Sequence, residues 1–402
     1  LDDHIATSTR VHSKMIHELA QELARTGHQP IVITPGCPNQ KNLLKIDIVE
    51  DVTFWSFRNG STRGVGKLTR AINETLLSVN AWRAIRNEVA LNPIDGVINY
   101  SPSIFYGGLV QQLKKKFQCP SYLILRDLFP QWVIDEGMIR ENSLIAKYFK
   151  FFEHLNYKYA DHIGLMSDAN LKVFDHINPG YPQKHVLHNW AKMTPVSTEL
   201  SEVSIREKLG LADKTIFFYG GNTGHAQDME NLLRLARSMN NNKNAHFLFV
   251  GSGDEYSLIE SLKVKWNLEN VTILPSVSQD EFKKILANVD IGLFSLSKTH
   301  KAHNFPGKLL AYMVQSLPII GSVNPGNDLI HIINNYEVGF AFVNGQDDKL
   351  LSAAKSLADN AIQRRKFGEN ANNLLEKYFS VESAAEKIIS YLNASSSNVI
   401  HE

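Results

Sequence analysis

Eleven residues, Lys298-Thr-His-Lys-Ala-His-Asn-Phe-Pro-Gly-Lys308, place three lysines and two histidines in one loop. From Ile291 to Asn327 there is no Asp or Glu. A basic, acid-free loop that leads into a helix suits an anion such as a diphosphate. Gly307 ahead of Lys308 would let backbone and side chain reach a phosphate together. Charge alone fits a solvated loop as well. A second phosphate-type feature is Tyr219-Gly220-Gly221-Asn222-Thr223-Gly224, which follows a strand and precedes a helix. Gly221, Asn222 and Gly224 there could let a backbone approach a phosphate beside a helix N-terminus. The plainer reading is a tight strand-to-helix turn. Gly251-Ser252-Gly253 is a weaker version, and a structural turn suits it better.

In the first half, Arg126-Asp127-Leu128-Phe129-Pro130 sits at the carboxyl end of a buried strand. Asp127 could orient a hydroxyl or act as a base, or cap a helix before Pro130. Glu153 lies on a helix face, where a salt bridge is the default. His188-Asn189-Trp190 suits a hinge, ring stacking or packing. At the start, His4, Thr7, Ser8 and Arg10 precede a helix. They could meet a substrate from a first strand-to-helix loop, with Arg10 against a phosphate. Ser8 or Thr9 could equally cap the helix.

These groups need elements to hold them. Val11–Thr26 has helical periodicity, and Ile31–Thr34 reads as a strand. A hairpin is expected over 45–57, a long helix over 68–89 and a helix over 142–159. Strands are expected at 96–100, 122–125 and 162–166. After an irregular linker (189–204), strands at 215–219, 246–250, 271–274, 291–295 and 319–323 alternate with helices. The expected fold class is α/β: two doubly wound Rossmann-like domains, with ligands at the carboxyl ends of strands in a central cleft. The expected domains are 1–190 and 191–379.

Composition excludes other classes. The chain has 402 residues, 43% hydrophobic and 21% charged, with 42 basic residues against 41 acidic ones. A net charge of +1 gives no basic excess for a nucleic-acid partner. Cys37 and Cys119 cannot make a disulfide framework, and no metal-ligand spacing appears. The opening LDDHIATSTR is polar, begins with Leu and leads at once into a helix, so a first strand is expected ahead of it. It lacks the apolar core of a signal peptide. Arg63–Arg86 interleaves basic and apolar residues, and Lys114-Lys115-Lys116 adds charge. That pattern suits either an anionic membrane surface or an ordinary domain face.

Together the motifs resemble the GT4 family of GT-B glycosyltransferases over essentially the whole chain. Arg25-Thr26-Gly27-His28 with the strand after it is similar to GHxVxVxT. Arg126–Pro130 is similar to the DLWP motif of a surface-polysaccharide subgroup. Tyr219–Gly224 is similar to YxGNxG, and Pro306–Met313 with Pro318-Ile319-Ile320 to PxKxxEYMAxGxPVV. Within the family, the motifs resemble those of the L-fucosamine transferases of O-antigen synthesis. The resemblance implies the two-domain GT-B fold, with a C-terminal helix over 380–402 packing back on the first domain. It implies retaining, metal-independent transfer from a UDP-sugar, N-acetyl-L-fucosamine in its UDP form, to a polyprenyl-diphosphate-linked sugar. No cofactor is expected. The location implied is the inner face of a bacterial cytoplasmic membrane, reached peripherally from the cytoplasm. Asp127, His303 and His4 become the catalytic candidates. Thr7, Ser8, Arg10, Arg126, Gly221, Asn222, Gly224, Gly307 and Lys308 become the substrate-binding ones. Two departures stand out. The family's paired Glu residues fall at His303 and Ala311 here, and its Arg and Lys after the glycine turn are replaced around Asn222 and Gln227. A sugar-nucleotide 2-epimerase and a non-catalytic nucleotide-sugar binder are the rival readings.

Overall fold

A computed structural model describes residues 11–37, 39–101, 103–181, 183–195, 203–299 and 305–399. The chain divides into two compact units, residues 1–188 with 381–402, and residues 189–380.

The first unit opens with α1 (Val11–Arg25), whose apolar stripe buries Met15, Leu19, Ala20 and Leu23. Strand β1 (Ile31–Pro35) and the hairpin β2 (Leu44–Val49) and β3 (Val52–Phe57) follow. The hairpin turns through Glu50 and Asp51, both at positive φ. The single helix expected over 68–89 is instead three: α2 (Lys67–Thr75), α3 (Leu77–Ile85) and α4 (Glu88–Leu91). The break has a packing cause. Helix α2 buries no residue, whereas α3 turns Leu77, Ala81, Ala84 and Ile85 into the core. Next come β4 (Val97–Ser101), α5 (Gly107–Phe117), β5 (Ser121–Leu125), α6 (Gln131–Asp135), α7 (Leu144–Lys158), β6 (His162–Leu165), α8 (Asp168–Ile177) and β7 (Gln183–Val186). Ser143 and Ser167 cap α7 and α8 by accepting from Ala146 and Asn170 amides. The strands form two separate sheets, ordered β1-β3-β2 and β4-β5-β6-β7. In the second, every pair is parallel.

The second unit holds α9 (Ile205–Lys208), β8 (Thr215–Asn222), α10 (Met229–Ser238), β9 (Ala245–Ser252), α11 (Tyr256–Lys265), β10 (Val271–Leu274), α12 (Gln279–Leu286), β11 (Ile291–Ser295), α13 (Gly307–Val314), β12 (Ile319–Val323), α14 (Leu329–Asn335), β13 (Gly339–Val343), α15 (Asp347–Asp359) and α16 (Ala361–Leu374). Its six strands are all parallel, in the order β10-β9-β8-β11-β12-β13. Strand β13 is one the sequence pattern did not mark. Two apolar clusters cover the sheet, one around Phe218, Phe294 and Tyr312 and one around Phe217, Phe247 and Leu293. Near-continuous burial along β8, β9, β11 and β12 matches strands covered on both faces. The last helix, α17 (Val381–Val399), belongs to the first unit and packs on α1.

Candidate active site

In the second unit, β8 ends in the open at Gly221 and Asn222. Gly221 has φ +117°, a conformation that other residues rarely adopt. The Gln227 side chain then closes the turn. Its carbonyl oxygen accepts from Asn222 Nδ2 at 3.2 Å and from the Gly224 amide at 3.1 Å. The neighbouring loop locks it further: the Thr223 amide donates to Ser252 O, and the Glu255 amide donates to Thr223 O. Gly251 is needed for this contact, since a Cβ there would lie 1.9 Å from Gly221 O. The amide at the start of α10 is already engaged, because Met229 N–H donates to Glu255 Oε2 at 2.8 Å. That carboxylate also pairs with His225 at 3.1 Å. The helix N-terminus expected to meet a phosphate is thus held by a carboxylate of the same domain.

The cation comes from elsewhere in the unit. Lys308, one residue into α13, reaches the turn from the side. Its Nζ lies 3.4 Å from the centroid of the Tyr219 ring. The same nitrogen is 3.9 Å from the position a Cβ on Gly221 would take. It is enclosed, with no hydrogen-bond partner among the described residues. Burial alone pushes its pKa well below the usual lysine value, with no carboxylate to offset it. The ring face supplies partial compensation as a cation–π contact. Thr223 Oγ1, in the same turn, is also buried and without a partner. Gly307 is exposed, and a Cβ there would meet nothing within 4 Å.

In the first unit, Arg126 follows β5 directly. Its guanidinium donates to Leu187 O at 2.7 Å and His188 O at 3.0 Å. Burial lowers its pKa to about 10. These bonds tie β5 to the chain leaving β7. Asp127 is not a cap of α6, which begins after Pro130 without a side-chain cap. Burial raises the pKa of its carboxyl, offset in part by the Trp132 side chain and the Leu128 amide. Glu153 on α7 makes no salt bridge among the described residues; it accepts the Tyr157 hydroxyl at 3.0 Å. Burial pushes its pKa up to about 7. His188 Nδ1 meets Met166 O at 3.0 Å, and Trp190 is buried. His4, Thr7, Ser8, Arg10 and His303 lie outside the described residues. Among the described residues, no group of three or more His, Cys, Asp or Glu side chains could hold a metal ion.

Comparison with known proteins bears on both units. Residues 202–374 match the family model described as glycosyl transferases group 1. That stretch of the second unit is similar to a group 1 glycosyltransferase domain. A curated relative, the probable glycosyltransferase WbjE of Pseudomonas aeruginosa, is 26% identical over 228 residues, 54% of this chain and 54% of WbjE. The match therefore spans about half the length of that relative. Two solved structures extend over nearly the whole chain. Anabaena HepE in complex with UDP has a TM-score of 0.69 at 12% identity, covering 98% of this chain and 99% of HepE. WaaG, a glycosyltransferase involved in lipopolysaccharide biosynthesis, has a TM-score of 0.61 at 14% identity, covering 96% and 97%. At these identities the likeness concerns the fold, which is GT-B.

Within the matched residues, Gly221, Asn222, Gly224 and Lys308 meet at one corner. Sequence reading gave no role to Thr223 Oγ1, Gln227 or Glu255. The first carries no spacing signal. The other two are polar residues in loops whose partners lie three to thirty residues away, at distances that only the fold brings together. Ala311, at the position of one family Glu, is partly buried against the core of the domain.

Proposed function

We propose that the chain transfers a sugar from a nucleoside-diphosphate donor held by the glycosyltransferase domain. The observation that carries this is the Lys308 amine, buried beside the Gly221 turn with no anion to neutralise it among the described residues. A desolvated lysine is a poor resident but a strong ligand for a diphosphate. It would stabilise charge developing on the departing nucleotide without requiring a metal. The fixed turn and the ring of Tyr219 keep the amine in place before the donor arrives. Ala311 offers no hydrogen bond to a ribose, so recognition there would fall to other groups.

We further propose UDP as the nucleotide, N-acetyl-L-fucosamine as the sugar and a polyprenyl-diphosphate-linked sugar as the acceptor, with retention. The motif resemblance supports this, as do a relative named as a probable glycosyltransferase and a similar fold in lipopolysaccharide synthesis. A lipid acceptor fits one surface feature. No helix among the described residues is long and apolar enough to cross a membrane. Yet α2 buries nothing and leaves Leu68 75% and Ile72 51% exposed, flanking Arg70 and following Lys67. That is the pattern of a helix lying on an anionic membrane surface.

The test is turnover of a UDP-sugar panel with polyprenyl-diphosphate-linked GlcNAc, read as nucleotide release and lipid mass. The expected result is UDP release with one added sugar mass from one donor. Release of UDP without any acceptor would indicate an epimerase. UDP binding with no turnover across donors and acceptors would leave a nucleotide-sugar binder.

A further inference from the structure

We infer that Glu255 is a built-in competitor for the donor's phosphates: it holds the start of α10 in their place and so weakens the hold on nucleotide at the Gly221 turn. The inference rests on the donor reading and names how that same corner is regulated. Helix α10 has ten residues, and its N-cap, Asp228, gives it no side-chain cap. The Asp228 backbone sits at φ +47°, and its carboxylate is turned to Asn344, accepting from Nδ2 at 2.8 Å. Asp is a favoured N-cap, so the usual cap is at hand but engaged elsewhere. The group that holds the helix start comes from another loop.

That loop follows β9. Glu255 Oε2 accepts from the Met229 amide at 2.8 Å, and Oε1 meets His225 Nδ1 at 3.1 Å. A helix-start amide beside an imidazole is a pair of donors that suits a phosphate oxygen equally well. The loop keeps the carboxylate there. Glu255 N–H donates to Thr223 O, Thr223 N–H donates to Ser252 O, and the Glu255 side chain is 12% exposed. Gly253 permits the close approach, since a Cβ on it would lie 2.8 Å from Thr223 N.

The carboxylate does not serve Lys308, which burial alone shifts. It does act on Tyr219, whose ring face carries Lys308 Nζ. Burial, then Tyr312, then Glu255 push the pKa of that hydroxyl up. One aromatic side chain thus meets a cation that has no partner among the described residues and feels an anion already seated. A diphosphate drawn to Lys308 and the turn comes within range of Glu255, and like charges repel. His225 tempers that repulsion. Its side chain is 79% exposed at the edge of the turn, and a protonated imidazole neutralises the carboxylate it touches. A competitor of this kind suits turnover, because nucleotide must leave after each transfer.

The test measures UDP affinity by calorimetry and UDP release by displacement kinetics in the full chain. Glu255→Gln removes the charge and keeps an acceptor for the Met229 amide. It should bind UDP about three- to tenfold more tightly and release it more slowly by a similar factor. His225→Gln should weaken UDP binding about threefold in the wild-type background and change nothing in Glu255→Gln, where its partner charge is gone. His225 is exposed, so its variant folds even if Glu255→Gln does not, and unchanged UDP affinity in His225→Gln then overturns the inference. Equal or weaker UDP binding in Glu255→Gln overturns it too, as does a His225→Gln effect that persists in the double variant. If neither the wild-type chain nor Glu255→Gln binds UDP, the donor reading itself fails.

Discussion

Lys308 and Arg126 are both buried cations near the carboxyl edge of a parallel sheet, and they are held in opposite ways. Arg126 gives its guanidinium to Leu187 O and His188 O. Lys308 Nζ meets the face of Tyr219 and donates to no hydrogen-bond partner among the described residues. A cation held by two backbone carbonyls is a strut. A cation enclosed without an anion costs stability, and that cost is recovered only when a ligand supplies the charge. Position in the sequence did not separate the two, since each lies in a motif read as substrate-binding. Their partners do.

The largest effect expected falls on the strut. Arg126→Met would strand two carbonyls and lower unfolding free energy by about 2–4 kcal/mol, with UDP affinity unchanged. Urea denaturation and calorimetry check the two halves. A loss of UDP affinity with normal stability would dissolve the contrast. Gly251→Ala comes next. Its Cβ would collide with Gly221 O at 1.9 Å, so β8 and β9 must part at the turn. A loss of about 3 kcal/mol is expected, at the upper end of overpacking costs, with weakened UDP binding alongside.

Lys308 should behave the other way round from Arg126. Lys308→Met is expected to leave the unfolding midpoint equal or higher, because it removes a buried amine that has no partner. The wild-type amine has a depressed pKa in the folded state. The folded state therefore binds fewer protons than the unfolded one up to about pH 10.4, and stability rises with pH through that window. Binding an anion reverses the depression, so UDP binding should be accompanied by proton uptake. Calorimetry in two buffers of different ionisation enthalpy would show this, and equal apparent enthalpies would count against it.

The smallest effect concerns Glu153. Its folded pKa of about 7 lies above the unfolded value of about 4.3. The folded state holds the extra proton in between, so this group's contribution falls as pH rises from about 4.3 to 7 and is level above that. Glu153→Gln should flatten that slope in a melting series.

Much of the second unit was legible from its sequence. Strands buried on both faces read as apolar runs, and the turn and loop lie where glycines and lysines cluster. What was not legible is relational. The residues of Tyr219–Gly224 point to a phosphate at the start of α10, but Glu255 comes from the next loop and occupies that amide. Nothing in the periodicity of 68–89 reports that α2 is left exposed while α3 is buried. Strand β13, Gly-Phe-Ala-Phe-Val, is short and follows a helix without a strong turn signal. The paired family Glu positions, by contrast, show their loss in the sequence itself, as His303 and Ala311.

The central claim is that the Lys308 amine waits for a diphosphate. Titrating UDP into the wild-type chain and Lys308→Met by calorimetry tests it most directly. The expected result is an affinity loss of about 1–3 kcal/mol in a variant that melts no lower than wild type. Equal UDP affinity in the two proteins would contradict it.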